Sequence, residues 1–344
     1  MMSDTPAAAP ASDDPRDPLL GTGAAVLAFD VGGTDTKSAI VDESGRVLGV
    51  RRTPTPHDEA DPAGAIVAHI TSLAAEYRED FPDVSPVAAG LSVPGLVDEA
   101  RGIGLFASNL GWHDAPLRDL AEHALGLPVA FGHDVRSAGD AEHRLGAARG
   151  ADDVVVLAIG TGIASAIIAG GRPITAGGYA GELGHALIWP EGELCACGAV
   201  GCLETIASAG AIARRYSERS GRKTPGAREV LDASKAGDIV AERVWDDAVE
   251  ALARALAPLV AILGPELVVI GGGLAEAGRD LFEPVQHRLD ALLSFHRRPR
   301  LVKAALGDDA GVLGTALRAR DLAAGRLDRA HGADVHAVES DPAS

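Results

Sequence analysis

Apolar positions along the chain follow two periods. Ala24–Phe29 is an apolar run that ends at Asp30, Thr36–Val41 is a second, and Val47–Arg51 a third. Short turns rich in Gly, Thr, Asp and Ser separate them, which predicts an antiparallel meander. A helical period follows over Pro62–Glu79, with Ile66, Val67, Ile70, Leu73, Ala74 and Tyr77 on one face and Pro62 in the first turn. Strands are predicted at Val87–Val93 and Val129–Gly132, and helices at Leu117–Leu125 and Arg136–Ala147. The opening logic then repeats: Val154–Ile159, a turn at Gly160-Thr161-Gly162, and Ile163–Ala169. Helices over Thr205–Tyr216 and Ile239–Leu263 lead to a strand at Leu267–Ile270. A helix from Gly278 to Leu293, a strand at Arg300–Ala305 and a helix at Ala310–Ala324 complete an α/β pattern.

The turns are where chemistry enters. At Asp30-Val-Gly32-Gly33-Thr34 the glycines let backbone N–H groups approach an anion, and Thr34 adds a hydroxyl. Asp30, at a strand end, is placed to hold Mg²⁺ through water. The same residues also make an ordinary hairpin turn, and both readings stand. Its repetition at Thr161 and Gly162 favours a phosphate cradle in both places. Gly271-Gly272-Gly273 directly follows a buried strand, so a flat group such as adenine fits on its backbone; a plain helix-start loop fits as well. Asn109 has the two-way hydrogen bonding of a sugar reader and also the habits of a turn residue. Asp134 follows a strand, where it either caps the next helix or faces a ligand at the sheet's C-terminal edge.

The three cysteines all lie in one segment, Cys195-Ala-Cys197-Gly-Ala-Val-Gly-Cys202, and His185 precedes them. Three thiolates and one imidazole complete a tetrahedral zinc set with no open position, so the ion is expected to be structural. Glu182 and Glu204 bracket the set and are free for other work.

Composition narrows the partners. A net charge of −18 argues against nucleic acid and anionic membranes, and against a basic groove for polyphosphate as phosphate donor. No apolar run reaches the roughly 18 residues of a membrane span. The N-terminal stretch lacks the basic start and apolar segment of a secretory signal, and a trio of unpaired cysteines suits a reducing cytoplasm. Residues 1–22 and 326–344 read as disordered tails.

Together these motifs resemble the ROK family of sugar kinases and sugar-responsive repressors, in the actin/hexokinase/Hsp70 superfamily. The marks are Asp30-Val-Gly-Gly-Thr34, Val93-Pro-Gly-Leu-Val-Asp98, Asn109 with Trp112, Asp134, Gly160-Thr-Gly-Ile163, Glu182-x-x-Gly-His185, the Cys/Glu204 segment and Gly271-Gly-Gly273. The resemblance runs from about Ala24 to Ala324. It implies a two-lobed, ribonuclease H-like α/β fold with mixed sheets flanked by helices and a structural zinc knuckle. The small lobe is expected over residues 23–135, the large lobe over 136–307 with the zinc segment at 181–204, and a helix at 308–325 returning to the small lobe.

The implied activity is transfer of the ATP γ-phosphate to the 6-hydroxyl of an aldohexose, glucose first. Asp134 matches the catalytic base, and Asn109, His133, Glu182, His185 and Glu204 match sugar contacts. Asp30, Gly32, Gly33, Thr34, Lys37, Thr161, Gly162 and Gly271–Gly273 match the nucleotide and Mg²⁺ site. His185, Cys195, Cys197 and Cys202 match the zinc ligands. A homodimer or dimer of dimers is implied too. Alternatives are an N-acetylglucosamine or N-acetylmannosamine kinase, or a non-catalytic sugar sensor. The family's repressors carry a DNA-binding domain ahead of the sugar domain, and the residues before Asp30 are too few and too acidic for one.

The chain departs from the family pattern at four places. His133 and Val135 flank Asp134 where Asn and Ala are usual. Ala164 and Ala166 stand where glycines are usual, and a methyl group there is expected to restrict φ > 0 and the approach to phosphate.

Overall fold

The computed structural model describes residues 20–327. Nearly all of the two stretches read as tails lies outside that range. The chain divides into two compact units, one running up to Ser137 and resuming at Val312, the other spanning Ala138–Gly311.

The first unit opens with β1 (Val26–Val31), β2 (Asp35–Val41) and β3 (Val47–Pro54), an antiparallel meander. Helix α1 (Pro62–Asp80) starts where Asp61 accepts the Gly64 N–H at 2.9 Å. After β4 (Ala88–Val93), a small sheet of β5 (Leu96–Asp98), β6 (Ile103–Phe106) and β7 (His113–Ala115) leads into α2 (Leu117–Leu125). Strand β8 (Val129–His133) passes directly into α3 (Asp134–Arg144). The main sheet runs β3-β2-β1-β4-β8, with β1, β4 and β8 parallel. Side chains of β4 are buried on both faces, as expected of a strand covered from each side. On one face Leu27, Phe29 and Leu91 meet Ile66, Ile70 and Tyr77 of α1 and Leu117 of α2.

The second unit repeats this plan. Strands β9 (Val154–Ile159), β10 (Ile163–Ala169) and β11 (Arg172–Ile174) form a meander. The cysteine segment follows, then α4 (Glu204–Ala207), α5 (Ala209–Ser220), α6 (Ala227–Lys235) and α7 (Ile239–Leu263). Strand β12 (Leu267–Gly271), α8 (Arg279–Leu292) and β13 (Arg300–Lys303) complete it, in the order β11-β10-β9-β12-β13 with β9, β12 and β13 parallel. Leu157, Ile159, Val268 and Ile270 of this sheet bury against Val244 and Leu252 of α7 and Val285 of α8.

The C-terminal helix α9 (Ala310–Ala323) covers the remaining face of the first unit's sheet, where Val312, Ala316 and Ala319 pack on Val26, Ala28 and Ala88. A methyl group at Gly90 would strike the Thr315 carbonyl, so glycine there sets how closely helix and strand approach. From the same helix Arg320 donates to the carbonyls of Leu20, Gly21, Ala24 and Asp42, tying down the chain ahead of β1.

Three local differences from the sequence reading have physical causes. The helix expected over Thr205–Tyr216 is two helices. Ser208 turns extended at ψ 153 and its hydroxyl accepts the Ala211 N–H at 3.0 Å, so a local N-cap interrupts a continuous helical period. Helix α6 buries only Ala227, Val230 and Leu231, too short a pattern to declare itself. Third, Ala164 and Ala166 cause no backbone strain: both sit in β10 opposite Ala158 and Val156, and neither has a positive φ. The methyl of Ala166 is accommodated because Gly139 of α3 faces it.

Gly90→Ala is expected to lower unfolding free energy by about 1–3 kcal/mol through overpacking of α9 on β4, read from urea denaturation of the full chain.

Candidate functional site

Parallel strands β1, β4 and β8 bring their C-terminal ends to one edge of the first unit, and two carboxylates sit there. Asp30 is on β1 beside Lys37, its cross-strand neighbour on β2. Asp134 is the first residue of α3. Burial, reinforced by the nearby charge of Asp134 and only partly offset by Lys37, pushes the Asp30 carboxyl up to about 7. A buried carboxyl that keeps its proton up to about pH 7 marks a place suited to a cation or a shared proton.

The turn after β1 is closed by its own backbone. Gly32 donates its N–H to the Asp35 carbonyl at 2.9 Å and its own carbonyl accepts the Thr55 hydroxyl at 2.8 Å, while Thr34 is exposed at the tip. A Cβ on Gly33 would lie 2.5 Å from Asn109 Nδ2, so the candidate sugar reader and the candidate phosphate turn are direct neighbours. Asn109 itself is exposed, on the turn after β6. Trp112 is buried, and its indole N–H has no partner.

His133 closes β8 and is only 5% exposed. Its Nδ1 accepts the N–H groups of Val135 at 3.1 Å and Arg136 at 3.4 Å, which makes it the N-cap of α3. The same Nδ1 lies 3.1 Å from Asp134 Oδ1, and that oxygen accepts the Val135 N–H at 2.7 Å. Helix capping thus occupies one face of the imidazole and aims the carboxylate. A histidine before an aspartate reads from sequence as a polar pair and gives no sign of capping.

In the second unit, two candidate nucleotide turns share one edge. The β9–β10 hairpin closes with Gly160 N–H on the Gly162 carbonyl at 2.9 Å, leaving Thr161 exposed. Gly272, at φ 78, passes so close to β9 that a Cβ would lie 2.5 Å from the Ile159 carbonyl. Gly271 and Gly273 flank it, the first at the end of β12 and the second opening a 3₁₀ turn. Glu204 braces the hairpin: its Oε2 accepts the Ile163 N–H at 2.7 Å and would sit 2.6 Å from a Cβ on Gly162.

The ligand atoms of His185, Cys195, Cys197 and Cys202 all lie within 4.8 Å of one another. Cys195 Sγ is 3.6 Å from His185 Nδ1, and Cys197 Sγ is 3.7 Å from Cys202 Sγ. Tetrahedral zinc with bonds of about 2.0–2.3 Å has ligand–ligand edges of roughly 3.5–3.8 Å, which these two separations match. Left to themselves, burial and the neighbouring thiols push the Cys202 thiol up to about 12. Glu182 precedes the short 3₁₀ turn that carries His185, and its carbonyl accepts the His185 N–H at 3.0 Å. A cavity of about 640 Å³ beside the β9–β10 hairpin is lined by Thr161, Cys195, Glu204, Ser208 and Arg214. Arg214 escaped the sequence reading because an arginine on the polar face of a helix is unremarkable. Here it bonds Glu193 at 2.5 Å and the Thr205 carbonyl at 3.2 Å.

Two mixed sheets of one topology, each with a glycine turn at its edge, place the protein in an α/β class with an internally repeated plan. The ROK family model matches residues 26–321, and the chain belongs to the ROK family. It is 35% identical over 310 residues to a glucokinase of Thermotoga maritima, covering 85% of this chain and 96% of that one. The fold is similar to that of a ROK hexokinase from Thermus thermophilus, with a TM-score of 0.77 and 33% identity over 88% of this chain and 99% of the other. It is similar also to a ROK family glucokinase from Streptomyces griseus solved with glucose and AMPPNP, with a TM-score of 0.73 and 32% identity over 86% and 99% of the two chains. Among the described residues no helix is long and apolar enough to cross a membrane.

The raised Asp30 has a signature in stability. Its folded value of about 7 exceeds the reference 3.8. The folded state therefore keeps a proton that the unfolded chain has released between those values, and stability falls as pH rises across that window. Asp30→Asn is expected to flatten the fall: without divalent cations, its stability relative to the parent rises from pH 4 to pH 7 and levels off above. Urea midpoints at those pH values measure it.

Proposed function

We propose that the protein is an ATP-dependent sugar kinase that transfers the γ-phosphate to the 6-hydroxyl of an aldohexose, with glucose the foremost acceptor. The observation that carries the reading is the aimed carboxylate of Asp134 beside Asp30, at the C-terminal edge of three parallel strands. In this reading Asp134 takes the proton of the sugar hydroxyl as it attacks phosphorus. Asn109, Glu182, His185 and Glu204 hold the other hydroxyls. Asp30 positions Mg²⁺, whose charge removes the penalty that burial places on its carboxylate. The Gly32–Thr34, Thr161–Gly162 and Gly271–Gly273 turns and Lys37 take the nucleotide. Phosphoryl transfer depends chiefly on such positioning and charge neutralisation.

Zinc held by His185, Cys195, Cys197 and Cys202 is structural in this proposal. With Nδ1 of His185 turned to the metal, Nε2 is left for a sugar hydroxyl. Glu204 follows Cys202 by two residues and braces the Ile163 N–H, so the metal also supports the phosphate turn. Assembly into homodimers belongs to the same proposal.

A coupled ADP-release assay over a panel of glucose, mannose, N-acetylglucosamine and N-acetylmannosamine, with ATP and polyphosphate as donors, tests the reading. Sugar-dependent thermal stabilisation without turnover on any sugar would sink it. Asp134→Asn is expected to reduce kcat by about 10²–10⁴-fold while sugar binding survives; near-normal turnover removes Asp134 from the base role. Cys197→Ser is expected to lower zinc content and raise the sugar KM together. Zinc loss with an unchanged KM would break the link between metal and sugar site.

A further inference from the structure

We propose that Glu99, Arg136 and Arg318 form a buried support that fixes the position of Asp134, with Glu99 as a positioning residue for phosphoryl transfer. The inference rests on the reading of Asp134 as base.

Glu99 follows β5, and its carboxylate is gripped from three directions. Oε1 accepts Arg136 Nε at 2.7 Å and the His133 N–H at 3.4 Å, and Oε2 accepts Arg318 Nη2 at 2.6 Å. Arg318 Nη2 also donates to the Phe131 carbonyl at 2.9 Å, and Arg136 Nη2 to the Val97 carbonyl at 3.3 Å. The support therefore holds β8 at Phe131 and His133 and holds α3 at Arg136. Asp134 lies between the two grips.

The surroundings are built for this. The side chains of Glu99, Arg136 and Arg318 are only 13%, 4% and 12% exposed. A Cβ on Gly132 would lie 2.8 Å from Arg318 Nε, so glycine at that position lets the guanidinium cross β8. Burial disfavours the charge on Glu99, but Arg318 and Arg136 outweigh it and hold the carboxyl at about 2. The cluster is thus ionised at any working pH and acts as a fixed brace. Short charge-assisted bonds are directional, and a reacting group misplaced by about 1 Å loses on the order of 10²-fold in rate.

A purely structural cluster would lower thermal stability and leave turnover of the folded chains intact. The test compares kcat, sugar KM and ATP KM of Glu99→Gln with the parent, in full chains shown by circular dichroism to be folded. The expected result is a kcat about 10- to 100-fold lower, with both KM values within about threefold. Arg318→Lys keeps the charge but shortens the reach of the one nitrogen, Nη2, that bonds both Glu99 and the Phe131 carbonyl. It is expected to lower kcat in the same direction, and it decides the matter if Glu99→Gln fails to fold. Folded variants with kcat within about twofold of the parent overturn the proposal. Asp134→Asn runs alongside. If it is inactive while the Glu99 and Arg318 variants are normal, the support fails alone; if it is active, the base assignment fails first.

Discussion

A carboxylate buried against its own preference for water is the constraint to which the first unit answers. Asp30 sits at the end of β1 with Asp134 close enough to raise its proton affinity, and Lys37 compensates in part. Such a pair is stable only where backbone geometry leaves it no alternative. Three parallel strands supply that geometry, since their C-terminal ends converge while α1, α2 and α9 seal the faces of the sheet. The first glycine turn and Asn109 then occupy the remaining space at that edge. The strain in protonation is local, and the packing that sustains it extends through the unit.

The second unit solves a different problem with the same sheet order. It has two glycine turns at one edge, with Gly272 packed on Ile159 of β9 and Glu204 bracing the β9–β10 hairpin.

Much of this was legible in the sequence, and the reasons differ by element. Strands β1, β9 and β12 announced themselves through unbroken apolar runs bounded by Gly and Asp, and α7 through a long helical period. The zinc candidates were legible because cysteine is scarce here and all three lie together. What stayed hidden depends on partners distant in the chain. Glu99, Arg136 and Arg318 look like ordinary surface charges until β5, α3 and α9 converge. The capping role of His133 depends on helix geometry that residue type does not reveal. The break at Ser208 was masked because a single hydroxyl outcompeted an otherwise consistent period. The absence of strain at Ala166 was hidden for a similar reason: whether a methyl group is tolerated depends on what faces it, and Gly139 faces Ala166.

Gly162 and Glu204 have a consequence for how this chain can vary. A side chain at position 162 would press on the Glu204 carboxylate, and a shorter acid at 204 would release the Ile163 N–H. Glu204 is in turn two residues from Cys202, whose sulfur neighbours that of Cys197 at 3.7 Å. The hairpin turn and the cysteine segment, more than thirty residues apart in the chain, are therefore mechanically coupled through Glu204. Grafting either into a related scaffold without the other would bring a turn without its brace, or a brace with nothing to hold.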